Sequence, residues 1–383
     1  MRAARAWIDD ASGSLADLGV LLPISAALIL GNGLDAGTVL VGVGTLYLAA
    51  GLYFRVPVPV QPIKAAAAIA IARGLPAETI GAAGIALGVV LLLLGVTGLS
   101  RVVGRAFSIP IVRGLQLGVG LILVKTAIDL ADPGAGPRGL VVAGAIAASL
   151  SLGAVIRAQV PVALVAIVGA ALVSLIATGS VPHMEAALWH PELNSAAFDP
   201  AVLLSAFTLL VIPQIPLTFG NAVIAVVDLE HRYFPESAGK VTPKNISLSC
   251  GLANVTAGAL GGMPMCHGSG GLTAHYRAGA RSFHMNVVVG TTLLALGLFF
   301  APAALGLLSL IPIAVLAGFL AFTGLFHSSL ASTLRGFDLV VATIVGLLGL
   351  LTTNLAIGLV AGLILYWPVR WALERRELEP VRS

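Results

Sequence analysis

One stretch of this chain, residues 261–281 (GGMPMCHGSGGLTAHYRAGAR), concentrates glycine and polar residues within a sequence otherwise built from long apolar runs. Its glycines and Pro264 cannot form a continuous helix, because glycine weakens helices and proline lacks a backbone donor. At membrane depth, non-helical backbone survives only where protein or a water-filled cavity satisfies its polar groups. We therefore predict a broken membrane span that lines a binding site.

The residues that follow this break have the chemistry of an anion site. Ser269 is placed to cap a short helix, and Gly268 and Gly270 leave backbone N–H groups bare enough to contact an oxyanion. His267 either donates to that oxyanion or makes a structural hydrogen bond. We predict no metal and no cofactor, since the spacing of the Cys and His residues here matches no standard zinc pattern.

A second break lies at residues 55–74 (RVPVPVQPIKAAAAIAIARG), where three prolines impose extended backbone. Only residues 63–73 can be helical, a length of about 16 Å or half a bilayer. Two short helices that start near the midplane from opposite sides direct their positive N-termini at one gap. Lys64, with Gln61 and Ala65 beside it, adds a full positive charge there, unless Lys64 pairs with a carboxylate or extends to the interface.

Polar side chains elsewhere extend this candidate site. Gln214, Thr218 and Asn221 follow one another at spacings of four and three, so they share one face of an apolar span. That face either lines a cavity or bonds to a neighbouring helix. Asp17, at the entrance of the first span, is a candidate carrier of a coupling proton, a partner for Lys64, or a capping carboxylate.

The elements that must position these residues are membrane spans. Of the 383 residues, 58% are hydrophobic and only 10% are charged, with a mean hydropathy of +1.02, which excludes an ordinary soluble enzyme. The net charge of +4 comes from Lys and Arg clustered between apolar runs, a pattern typical of cytoplasmic loops. We therefore predict an integral protein of a lipid bilayer with no nucleic-acid partner.

The apolar runs predict an all-α fold of fourteen spans in two halves of seven. From Pro62 to the end of the next Ile-Pro pair is 48 residues, and the same distance separates Pro264 from the end of its next Ile-Pro pair. Each half has a short half-helix, span 3 or span 10, preceded by an extended segment. We interpret residues 1–180 and 200–375 as inverted repeats, with a chance match of proline spacing as the alternative. Placing both termini in the cytoplasm puts most Lys and Arg residues on that side.

Four blocks of the sequence resemble the signatures of the molybdate transporter family, a distant branch of the sulfate permease superfamily of plants and bacteria. They are GSLADLGVLLP (13–23), PVPVQPIKAAAAIAIA (57–72), QIPLTFGNAVIAVVDLE (214–230) and MPMCHGSGGLTAHYRAGARS (263–282). The resemblance implies a core domain of spans 1–4 and 8–11, a gate domain of spans 5–7 and 12–14, and substrate binding between spans 3 and 10. It also implies alternating access by movement of the core. Only a short segment follows Trp371, so we expect no cytoplasmic C-terminal domain, while a homodimer through the membrane part stays open.

These observations predict a secondary active transporter, not an enzyme, of a small inorganic oxyanion in a bacterial inner (plasma) membrane. Molybdate is the first candidate, with sulfate or tungstate as competitors, and a proton is the predicted coupling ion. The alternatives within transport are an anion channel and a nucleobase or carboxylate carrier on the same fold. An intramembrane enzyme that uses Cys266, His267 or Ser269 is a remote alternative, since the chain has no HExxH or GxSxG motif.

Overall fold

The computed structural model describes residues 10–11, 13–100, 102–103, 107–131, 136–156, 162–179, 181 and 185–378. These residues form fifteen helices and one ladder of two very short strands, so the described part of the chain is almost entirely helical. The predicted helical class is confirmed. Residues 1–9 and 379–383, on which the predicted position of both termini depends, lie outside the described residues.

Seven helices and one strand make up the described first half of the chain. They are α1 (Leu18–Asn32), α2 (Ala36–Phe54), β1 (Gln61–Pro62), α3 (Lys64–Arg73), α4 (Ala77–Thr97), α5 (Ile109–Ala131), α6 (Pro137–Val155) and α7 (Val162–Thr178). Side-chain caps set some of their ends. Asp35, for example, accepts a hydrogen bond from the Thr38 N–H at 2.7 Å and so starts α2.

The described second half holds the other eight helices and the second strand. They are α8 (Pro200–Tyr233), α9 (Pro243–Ala259), β2 (Met265–Cys266), α10 (Ser269–Arg277), α11 (His284–Phe299), α12 (Ala301–Ser309), α13 (Ile313–Ser329), α14 (Gly336–Thr352) and α15 (Leu355–Leu378). The apolar run at residues 303–325 predicts a single span, and this prediction is wrong. A break at residues 310–312 separates α12 from α13, because Pro312 lacks the N–H that a continuous helix needs there.

Helix α8 departs from regular α geometry. Wider π-helical turns at Phe207–Val211 and Thr218–Ile224 lie on either side of an α-helical segment, Ile212–Leu217. That segment contains Pro213 and Pro216, which remove two backbone donors and so loosen the regular helix.

Six of the described helices are long and apolar enough to cross a membrane: α2, α4, α5, α6, α8 and α13 with the turn that follows it. Large apolar side chains on their outer faces are exposed, among them Leu93, Val141, Leu204 and Phe326. A surface of this kind marks contact with lipid. The chain is therefore an integral membrane protein.

The helices pack in pairs drawn from both halves of the chain. Helix α2 lies against α11, α4 lies against α9, and α5 lies against both α13 and α14. The short helices are enclosed by this arrangement, with α3 in contact with α5 and α10 in contact with α8. Residues 65–70 of α3 are all buried, so the start of this short helix lies inside the protein.

Candidate functional site

The backbone segments ahead of α3 and α10 meet in an antiparallel ladder. Gln61 on β1 pairs with Cys266 on β2, and the Ile63 N–H extends the ladder by donating to the Pro264 carbonyl at 3.1 Å. Each short helix begins three residues beyond the Gln61–Cys266 pair. The two helix N-termini therefore lie beyond the two ends of one short ladder, and the helices leave it with opposite chain directions.

Two buried asparagines hold the extended backbone in place. Asn254 on α9 accepts from the Met265 N–H and donates to the Met265 carbonyl, both at 2.7 Å. Asn286 on α11 does the same for Val58, at 2.9 and 2.6 Å. Each amide thus satisfies backbone groups that no helix satisfies, as non-helical backbone in a membrane requires. Sequence reasoning missed both residues, although a lone amide in an apolar span is a signal for such a role.

Lys64, Gln61 and Asp17 form a chain of hydrogen bonds beside the ladder. Lys64 Nζ donates to Gln61 Oε1 at 2.7 Å, and Gln61 Nε2 donates to Asp17 Oδ1 at 2.5 Å. Gln61 and Asp17 are buried, whereas Lys64 is half-buried. An ammonium has three N–H donors, so two donors of Lys64 have no protein partner among the residues described. Where the sequence offered a direct Lys64–Asp17 pair, the structure places Gln61 between them.

The close approach of this chain to α10 explains two glycines. A Cβ atom at Gly268 would overlap Gln61 Oε1, and one at Gly271 would lie 2.6 Å from Asp17 Oδ2 and 2.8 Å from Gln61 Nε2. A side chain at Gly268 would therefore displace Gln61, and one at Gly271 would displace Asp17, Gln61 or Pro59. Asp17 Oδ2 has no hydrogen-bond partner in the described part of the chain, and it lies beside the first turn of α10.

A side chain from α8 occupies the N-terminus of α3. Gln214 Oε1 accepts from the backbone N–H groups of Ala65 and Ala66 at 3.1 and 3.3 Å. Gln214 Nε2 donates to Thr218 Oγ1 at 3.0 Å, and both side chains are buried. The face of α8 that carries Gln214 and Thr218 is thus directed at the start of α3.

In the described part of the chain, no side chain occupies the N-terminus of α10 in this way. Among the described residues, none hydrogen bonds to the N–H groups of Ser269, Gly270 or Gly271, and Gly270 is exposed. The prediction that Ser269 caps this helix is wrong, since Gly268 is the capping residue. The Ser269 hydroxyl instead donates to Asn221 Oδ1 at 2.5 Å, because α8 brings that acceptor within reach.

His267 belongs to the scaffold of the site. Its Nδ1 contacts the Pro59 carbonyl at 2.8 Å, and its Nε2 contacts the Ser249 hydroxyl at 3.0 Å. The ring is fully buried, and both nitrogens are engaged by the protein, so no ring nitrogen is left for a substrate. Of the two roles open from the sequence, the geometry fits the structural hydrogen bond.

The other predicted site residues lie around the two helix starts. They are Gln61, Lys64, Ala65, Gln214, Thr218, Asn221, Gly268, Ser269 and Gly270, with Asp17 beside them. Each helix N-terminus carries about half a positive charge, and the ammonium carries a full one. The arrangement suits a small anion that accepts several hydrogen bonds, and the carboxyl of Asp17 is the one nearby acidic group among these residues.

Comparison with known proteins places these features in a family. The family model described as "Molybdate transporter of MFS superfamily" matches residues 9–123 and 206–326. Molybdate transporters 1 and 2 of Arabidopsis thaliana are each 30% identical to this chain over 94% and 93% of its length, which is 88% and 86% of theirs. Molybdate transporter 1 of Chlamydomonas reinhardtii is 27% identical over 95% of this chain and 92% of its own.

Two solved structures share the fold. The transmembrane domain of the cyanobacterial bicarbonate transporter BicA superposes with a TM-score of 0.67 at 17% identity, covering 94% of this chain and 98% of that one. The anion transporter SLC26A9 superposes with a TM-score of 0.66 at 14% identity, over 96% of this chain and 65% of that one. At these identities the likeness concerns the fold.

Proposed function

Because the chain belongs to the molybdate transporter family, we propose that it is a secondary active transporter of a tetrahedral oxyanion, with molybdate as the first substrate. Sulfate and tungstate are the expected competitors, since they are also tetrahedral dianions. The observation that carries the proposal is one short antiparallel ladder with a helix N-terminus beyond each of its ends and Lys64 at one of them. The matched relatives are transporters, which confirms the expectation that the chain is not an enzyme.

In the proposed complex, the anion lies between the starts of α3 and α10. The free N–H groups of Ser269, Gly270 and Gly271 donate to its oxygens, and the two unpartnered donors of Lys64 add a charged contact. Such a site recognises a small anion by many short contacts, and it needs no acidic or aromatic residue of the kind that a nucleobase requires.

The packing of the helices supports the inverted repeat. Spans 1–7 correspond to α1–α7, spans 8–11 to α8–α11, and spans 12–14 to α13–α15. Helix α2 packs on α11 as α9 packs on α4, and α5 packs on α14 as α13 packs on α6. These contacts interchange when the two halves are exchanged, which is expected of two repeats related by a pseudo-two-fold axis. As the family resemblance implies, we propose a core of spans 1–4 and 8–11 and a gate of spans 5–7 and 12–14. The distribution of Lys and Arg residues favours both termini in the cytoplasm.

One polar contact joins the proposed core to the proposed gate. Arg73, at the end of α3, donates to the backbone carbonyls of Thr352 and Thr353 in the turn between α14 and α15, both at 2.9 Å. Alternating access by movement of the core requires contacts of this kind to form in one state and break in another.

Asp17 is the proposed site of the coupling proton. Its carboxylate lies beside the first turn of α10, with Oδ2 unpartnered in the described part, and it is linked to Lys64 through Gln61. A negative charge there opposes the binding of an anion, and protonation removes that opposition. By linkage, anion binding then favours proton binding, so both travel together.

Uptake into proteoliposomes tests the proposal. The purified full chain is reconstituted, and molybdenum inside the vesicles is measured by mass spectrometry, with empty vesicles as the control. We expect saturable uptake of molybdate that tungstate and sulfate reduce and that an inward proton gradient accelerates. Clear uptake of another anion without saturable molybdate uptake would contradict molybdate as the substrate. In electrical recordings of the same reconstituted chain, large step-like currents would indicate a channel instead of a transporter.

A further inference from the structure

The N–H groups at the start of α3 are already used in this structure, and the group that uses them is the side-chain carbonyl of Gln214. It accepts from both Ala65 N and Ala66 N, which lie in the first turn of the helix and have no partner within the helix itself. A carbonyl oxygen in this position occupies the place that an oxygen of a bound anion would take.

The two helix N-termini are therefore unequal. At α10, the corresponding N–H groups are without a partner among the residues described. The Ser269 hydroxyl donates to Asn221 and does not cap the helix that it begins. At α3, a buried amide fills the position. An anion that enters the site in this state can reach the N–H groups at the start of α10, whereas Gln214 occupies those at the start of α3.

We propose that Gln214 is a displaceable internal competitor, whose side-chain carbonyl holds the start of α3 until the substrate anion replaces it. This inference rests on the proposed function, because it assigns a role within the same oxyanion site. The exchange is chemically reasonable, since hydrogen bonds to an oxyanion are stronger than those to a neutral amide. In its observed position, the Gln214 side chain makes one further hydrogen bond, from Nε2 to Thr218 Oγ1.

The surroundings of Gln214 suit a side chain that changes position. It lies between Pro213 and Pro216 in the short α-helical segment of α8, and π-helical turns adjoin that segment on both sides. Such turns are frequent at functional sites. In contrast, the asparagines that hold the two extended segments form paired bonds to both the N–H and the carbonyl of one residue, as expected of permanent supports.

The direction in which substrate affinity changes when Gln214 is removed distinguishes a competitor from a permanent cap or a substrate ligand. Removing a competitor tightens substrate binding, whereas removing a ligand or a structural cap weakens it or leaves it unchanged. Gln214→Met keeps the length of the side chain and removes the carbonyl. We expect it to lower the dissociation constant for molybdate by about threefold to tenfold, the equivalent of one ordinary hydrogen bond.

The experiment measures molybdate binding to the purified full chain by equilibrium dialysis, with molybdenum quantified by mass spectrometry. Gln116→Met serves as the matched control, because Gln116 is a buried glutamine on α5 that bonds to Arg113 and makes no bond to α3. Its dissociation constant should stay within about twofold of the wild-type value. A second test variant, Thr218→Val, leaves Gln214 in place but removes the acceptor of its amide N–H, and should tighten binding by about twofold to threefold.

Equal or weaker binding in Gln214→Met, in protein that remains monodisperse and melts cooperatively, overturns the inference and leaves the proposed function intact. If that variant does not fold, equal or weaker binding in Thr218→Val overturns it in the same way. A wild-type chain that binds no molybdate overturns the proposed function and this inference with it.

Discussion

The ammonium of Lys64 is the only full positive charge that the described residues place at the start of either short helix, so its removal gives the sharpest test of the site. Lys64→Met keeps most of the apolar stem and deletes the charge. One N–H of Lys64 bonds to Gln61 at 2.7 Å, and the other two are available to an anion. A hydrogen bond to a charged group contributes about 1.5 to 3 kcal/mol. We therefore expect the dissociation constant for molybdate to rise by about tenfold to 150-fold.

The measurement is equilibrium dialysis of the purified chain with molybdate at fixed ionic strength. Lys125→Met is the matched control, because Lys125 forms an exposed pair with Asp129 at 2.6 Å on α5. Exposed ion pairs contribute little to folding stability, and this pair lies away from the proposed site, so Lys125→Met should bind molybdate within about twofold of the wild type. Equal affinity in Lys64→Met and wild type, or the same loss in both Lys variants, would refute the assignment of Lys64 to the site.

Further predictions concern the scaffold and the transport cycle. Gly268→Ala should push Gln61 out of position and reduce molybdate affinity by about tenfold or more in dialysis, and an unchanged affinity would contradict the close approach. Asn254→Leu should lower the melting temperature of the detergent-purified chain, because two buried backbone groups lose their partner at about 1 to 3 kcal/mol each; a melting temperature equal to the wild-type value would contradict the supporting role. Arg73→Ala should change the maximal uptake rate and leave the dissociation constant within about twofold, because Arg73 lies roughly 14 Å along α3 from its start. Asp17→Asn should abolish the dependence of molybdate binding on pH by imitating the protonated form; a retained pH dependence would remove this residue as the proton site.

Much of the fold follows from the sequence because the signals are local. Proline spacing alone predicted a short helix over residues 63–73, and the structure has it at Lys64–Arg73. At residues 303–325, in contrast, the apolar run predicted one span where the structure has two helices. With no charge to mark a break, only Pro312 indicated that two helices lie there, and the composition of the run concealed it.

The details of the site depend on contacts between distant parts of the chain, and these were harder to predict. Ser269 has the right type and position for a helix cap, but its hydroxyl instead donates a hydrogen bond to Asn221, 48 residues earlier. The direction in which Gln214 points was open for the same reason, because periodicity gives a face of a helix but not the neighbour that it meets. For His267 the sequence left two roles open, a donor to the oxyanion or a structural hydrogen bond, and only the fold shows that two protein groups contact its ring nitrogens.

The central claim is that an oxyanion is held between the starts of α3 and α10. A structure of the full chain determined with bound tungstate, whose heavy atom is readily located, tests it most directly. We predict density within hydrogen-bonding distance of Lys64 Nζ and of the N–H groups of Ser269, Gly270 and Gly271. Tungstate bound at any other place in the protein, with these groups unoccupied, would contradict the account.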